Sequence, residues 1–284
     1  MPPSRIKLIK NRTMNNANDP EQDQLNRLLL DSLSPIELSK VRHDMLKQDL
    51  LTRAAKSVAN QAGLFTVRAK DGVWQALKNG IRVKQLWNGA EQGNSVLIEF
   101  AAGASLMPHR HNCLEEGIVL RGDLQMGNLR LGPLDYHASP AGSRHGGISS
   151  QHGALAYLRG TSLGDTHEVL REVLGGLVPF GQNRSLTVYA DNTDAWQEIA
   201  PGLWKKPLWQ DGARESCFYR LEADTYYPAG VHQGEQEYMM LEGDLFIDDR
   251  LLRAGDYQIA EAGSKHQEVY SDVGATLFVR GKLS

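Results

Sequence analysis

The chain has 284 residues, so at roughly 100–200 residues per domain it should hold about two domains. Its formal charge of −3 excludes the broad basic face that a general nucleic-acid binder needs. Its 41 % apolar and 23 % charged residues are ordinary globular usage. With two cysteines, Cys113 and Cys217, and no CxxC pair, a disulfide framework and a Cys-rich zinc site are excluded and a reducing cytoplasm is expected. No apolar run reaches the roughly 18–20 residues of a membrane span, and MPPSRIKLIKNR lacks the apolar core of a secretory signal.

Residues 1–63 read as a helical segment with a disordered start, because Asn15–Asp23 has almost no apolar residues to anchor it. Gln24–Leu30 suggests a short helix. Ser34-Pro35-Ile36-Glu37 looks like a helix start, with a serine cap, a first-turn proline and a glutamate reaching back to the cap. Leu38, Val41, Met45, Leu46, Leu50, Ala54 and Val58 then follow at helical spacing. That stripe must bury against the body of the chain, a dimer mate or a regulatory protein partner. A homodimer is expected.

From residue 64 the texture becomes β. Phe65–Arg68, Val83–Trp87, Val96–Phe100, Gly117–Leu120 and Leu155–Leu158 are short β-branched and aromatic runs between turns. The region is also duplicated. Trp74-Gln75 … Gly80 … Lys84 … Leu86-Trp87 recurs as Trp196-Gln197 … Gly202 … Lys206 … Leu208-Trp209, an offset of 122. At an offset of 121, Gly122-Asp123-Leu124, Asp135-Tyr136 and Ala141–His145 match Gly243-Asp244-Leu245, Asp256-Tyr257 and Ala262–His266. The β part is therefore two copies of one domain, 64–162 and 163–284. Between the matched regions, Thr166–Leu174 reads as a short helix ended by Gly175-Gly176.

The first copy carries metal-ligand spacing. His109 and His111, two apart on a strand, present both imidazoles to one side. A turn returns Glu115, and His145 arrives after Pro140-x-Gly142. Three imidazoles and a carboxylate suit a divalent transition metal, zinc or iron first, with manganese, nickel or copper as further choices. Strand alternation sends Glu115 and Glu116 to opposite faces, so only one can be a ligand; Glu115, seven positions before Gly122, is preferred. In the second copy His111 maps to His232, His145 to His266 and Glu116 to Glu237, whereas His109 becomes Gly230 and Glu115 becomes Gln236. His232, Glu237 and His266 could form a two-His-one-carboxylate face; the other reading is a copy kept for packing or dimerisation. Cys113, between His111 and Glu115, is a redox-sensitive candidate beside a cation. Tyr136, His137 and His152 are polar residues near the motif that could line the pocket, though each by itself reads as structural.

Gly103, His109, His111, Glu115 and Gly122 resemble the first cupin motif, and Pro140, Gly142 and His145 the second. The chain thus resembles a bicupin: mainly β, two double-stranded β-helix (jelly-roll) domains behind a helical segment. The run from Phe65-Thr-Val-Arg through Trp74, with His109-Arg-His111 and Glu115-Glu116, is similar to the ChrR cupin-like family, which includes zinc-bound sensory domains of anti-sigma factors. The resemblance implies a stress- or oxidant-responsive regulator, or alternatively a metal-dependent dioxygenase acting on a small organic molecule. The first sixty residues hold only His43 and no cysteine, so the N-terminal zinc motif of that anti-sigma domain is missing.

Overall fold

The computed structural model describes residues 20–32, 38–89, 92–162, 185–212, 214–266 and 268–281. They fall into two units, divided after residue 54. Helix α1 spans Pro20–Ser32 and α2 spans Lys40–Asn60. The expected cap at Ser34 and the connector helix Thr166–Leu174 lie outside the described residues. At the start of α2 the Ser39 carbonyl accepts from the His43 amide at 2.9 Å. No residue of α2 is buried: Val41 is 70 % exposed and Leu50 63 %. No described helix is long and apolar enough to cross a membrane.

The second unit is antiparallel β-sheet. The main sheet of the first copy runs, in spatial order, Leu186–Val188, Tyr136–Ser139, Glu115–Gly122, Ala154–Thr161, Asn94–Phe100, Ile81–Trp87 and Trp74–Lys78. The path in the second copy is Leu64–Val67, Tyr257–Ala260, Gln236–Ile247, Ala275–Gly281, Arg214–Leu221, Leu203–Asp211 and Gln197–Ala200. The two lists are repeat-related, and their first members are exchanged. Leu64–Val67, which precedes the first copy, pairs with Tyr257–Ala260 of the second. Leu186–Val188, which precedes the second copy, pairs with Tyr136–Ser139 of the first.

Repeated residues explain why the exchange holds. Asp256 accepts from the Ala69 amide at 2.7 Å, and Asp135 from the Ala190 amide at 2.7 Å. Lys84, 1 % exposed, donates to the carbonyls of Ala69 and Asp71 at 2.7 and 2.8 Å, and Lys206 donates to that of Tyr189 at 2.9 Å. Burial of such an ammonium is tolerated because carbonyl oxygens replace its water. Desolvation still lowers the Lys84 pKa.

Strand alternation sorts the apolar residues into three cores. Ile81, Ile98, Phe100, Val119 and Leu124 fill the first barrel, and Leu203, Leu221, Met240, Leu245 and Leu277 fill the second. Tyr136, Tyr157, Phe218, Met239, Tyr257 and Phe278 form a third core where the two main sheets meet. Met239 and Met240 are neighbours on one strand and serve different cores. Within the shared core lie two reciprocal buried ion pairs, Arg159 Nε–Glu237 Oε1 and Arg280 Nη1–Glu116 Oε2, both at 3.0 Å. Tyr136 donates to Glu116 at 2.6 Å, while Tyr157 and Ser95 donate to Glu237 at 2.9 and 2.8 Å. Each copy thus supplies one arginine and one glutamate to the other.

Candidate metal centre

His109 opens the short strand His109–Arg110, and His111 follows it. Glu115 begins the long strand Glu115–Gly122 after a turn through Asn112–Leu114. The His111 amide donates to the Ser143 carbonyl at 3.0 Å and the Gly142 amide to the His111 carbonyl at 2.8 Å. These bonds fasten the His-x-His segment to the Pro-x-Gly turn before His145. The register places His145 opposite His109 in the backbone, and the side chain of His145 lies outside the described residues.

Donor atoms of His109, His111 and Glu115 lie within 4.8 Å of one another. His111 Nδ1 is 3.7 Å from Glu115 Oε1, and the two imidazoles cross at 68° with centroids 4.9 Å apart. Ligands about 2.0–2.2 Å from a tetrahedral ion are about 3.4 Å from each other, so a small contraction would close this group on a cation. His109 Nδ1 sits 3.1 Å from the Met107 carbonyl, a backbone contact of the kind that orients a ligating imidazole. His111 is 2 % exposed, and burial, followed by its neighbours His109 and His137, pushes its pKa down to about 3. It is therefore a neutral imidazole with a lone pair to give, and its contact with Glu115 is not a salt bridge. The donor set fits a divalent transition metal.

Glu116 is not part of this group. Its neighbour Glu115 faces the barrel interior, and Glu116 faces the other copy, where Tyr136 and Arg280 hold it. The same alternation corrects the second expected site. Gln236 takes the place of Glu115 and lies 2.8 Å from His232 Nδ1, whereas Glu237 is turned outward onto Arg159. His232 and His266 remain together, ring centroids 5.2 Å apart, at an apolar cavity lined by Leu203, Leu221, Tyr227 and Gln258. The structure brings those two histidines together and takes the carboxylate away from them.

Of the remaining candidates, Cys113 is half-buried in the turn between His111 and Glu115. Cys217 is buried and its pKa is raised to about 12 by desolvation, so it is an inert core thiol. His152 is exposed, 3.0 Å from Asp123. His137, named from the sequence as a residue that could line the pocket, stands outside the ligand motif itself. It lies opposite Gly117 in the register, on the Glu115 side of the sheet. The signal for it is in the repeat, because His137 maps to Gln258 where His109 and Glu115 have also been replaced.

Burial depresses the pKa of His111, His137 and His232 below the ordinary value of about 6.5. The unfolded chain then binds more protons than the folded one between the two values, so this contribution is complete above about 6.5 and is lost as pH falls. The melting temperature of metal-free protein is expected to drop progressively from pH 7 to pH 4, less steeply in His111→Gln. A melting temperature that rises over that interval would contradict the burial of these neutral imidazoles.

Comparison with known proteins agrees with the fold. A candidate dioxygenase from Nostoc punctiforme superposes with a TM-score of 0.58 at 14 % identity, over 77 % of this chain and 82 % of that one. AerE from Microcystis aeruginosa gives 0.51 at 17 % identity, over 75 % and 97 %. A mutant oxalate decarboxylase from Bacillus subtilis gives 0.52 at 15 % identity, over 76 % of each chain. No curated protein matches the chain. The ChrR Cupin-like domain matches residues 62–162 and again 184–283. With both of its barrels matched, the chain belongs to the ChrR cupin-like family and carries that domain twice.

Proposed function

We propose that the chain is a metal-binding bicupin with one functional site, and that it serves as a stress- or oxidant-responsive regulator. His109, His111 and Glu115 hold a single divalent transition metal, with His145, whose backbone stands opposite His109, as the fourth ligand. The observation that carries the metal reading is the convergence of two imidazoles and a carboxylate within 4.8 Å. Cys113, in the turn between His111 and Glu115, is the oxidant-sensitive group of this reading, since a nearby cation favours the thiolate.

The regulatory reading is supported by family membership and by the apolar side chains that α1 and α2 leave exposed, among them Leu28, Leu30, Val41 and Met45. A regulatory protein is the partner they suit. Zinc is the metal of this reading. Its test is affinity capture of the full chain from cells with and without peroxide. A partner recovered in one state and lost in the other supports it, and the absence of any redox-dependent partner refutes it.

A second reading is a metal-dependent dioxygenase or related enzyme for a small organic molecule. Its support is the one or two positions that four protein ligands would leave on a five- or six-coordinate ion, and the likeness in fold to a candidate dioxygenase and to an oxalate decarboxylase with Mn(II) centres. Oxygen consumption by iron-loaded protein on addition of a substrate would decide for it.

A further inference from the structure

We propose that His137 completes the first site from its wall, hydrogen-bonding the small anion that fills the open position on the cation. This rests on the cation reading above. A divalent ion with Glu115 as its one carboxylate ligand keeps a net positive charge, so an anionic oxygen or nitrogen donor is the ligand class it attracts.

Strand geometry aims His137 inward. Its neighbour Tyr136 reaches Glu116 in the shared core, so His137 projects to the opposite face, that of Glu115. The residue across from it is Gly117, which adds no side chain of its own beside the imidazole. His137 Nδ1 lies 2.9 Å from Thr187 Oγ1, and its Nε2 is buried with no hydrogen-bond partner among the described residues. Thr187 sits on the exchanged strand Leu186–Val188, so the lead segment of the second copy fixes a side chain in the site of the first. With the Thr187 hydroxyl donating to Nδ1, Nε2 carries the proton and donates to the anion.

The second copy provides an internal control. Thr66 takes the place of Thr187 and accepts from Gln258 at 2.9 Å, so the frame is kept. There Gln258 replaces His137, Gln236 replaces Glu115, Gly230 replaces His109 and Tyr238 replaces Gly117. The imidazole has gone together with the carboxylate. Gln258 turns its amide nitrogen to Thr66, which leaves an acceptor, its Oε1, in the position where His137 presents Nε2.

The test uses cobalt(II)-loaded full-length protein titrated with azide and followed by visible absorption. Cobalt content is measured first, which separates failure of the cation reading from failure of this one. His137→Gln is expected to keep its cobalt and to bind azide about tenfold more weakly or worse, the usual effect of losing a hydrogen bond to a charged group. Thr187→Val, outside the site, is expected to keep cobalt and weaken azide by about threefold or more. Azide affinity within about twofold of wild type in both variants would overturn the proposal. So would loss of cobalt from His137→Gln, which would make His137 a ligand of the ion itself. If the wild-type chain takes up no cobalt, both readings fall before azide is added.

Discussion

Replacing Arg280 with alanine is expected to destabilise the folded chain by about 3–5 kcal/mol, the usual cost of breaking a buried ion pair from one side. The guanidinium lies 3.0 Å from Glu116 and 3.0 Å from the Ser216 hydroxyl, in a contact where Arg280 is 5 % and Glu116 1 % exposed. Alanine would leave the Glu116 carboxylate buried and without its guanidinium, with the Tyr136 hydroxyl still donating to it. Arg159→Ala should behave in the same way toward Glu237, because the two pairs are related by the repeat. The combined variant Arg280→Met, Glu116→Leu should recover much of the loss, since no unpaired charge is then buried. Denaturant unfolding of the three variants beside the wild type measures these losses. A loss below about 1 kcal/mol for both arginine variants would mean that water reaches these charges and that the two barrels do not share a dry core.

Glu115→Gln is the second large effect. It writes into the first barrel the residue that the second barrel already has at this place. The second barrel shows the consequence: with Gln236 there, His232 Nδ1 lies 2.8 Å from the amide oxygen and joins a neutral hydrogen-bonded set with Tyr238. The variant should fold normally and lose metal affinity by more than the roughly 10–100-fold that removal of an outer hydrogen-bonding partner costs. Competition with a metal-binding dye gives the number. Unchanged affinity would exclude Glu115 as a ligand.

Much of this architecture is legible in the sequence because it is periodic or repeated. The duplication places two barrels, and alternation alone separates Glu115 from Glu116. Alternation does not say which face is the barrel interior and which the contact between copies. That is why Glu237 reads as a ligand until Arg159 is seen against it. The strand exchange is hidden for a related reason. Leu64–Val67 and Leu186–Val188 look the same in sequence whichever copy they pair with, and the exchange becomes visible only through Asp256 and Asp135 gripping the segments that follow. His137 can be named from the sequence but not given a role, because a lone histidine has no spacing signature. Its meaning comes from a register partner, Gly117, and from a threonine fifty positions away.

Elemental analysis of protein purified without chelators, run beside His111→Ala and His266→Ala, tests the one-site metal account most directly. The account predicts about one transition-metal ion per chain in the wild type and in His266→Ala, and a small fraction of that in His111→Ala. Full occupancy in His111→Ala, or metal lost from His266→Ala alone, would contradict it.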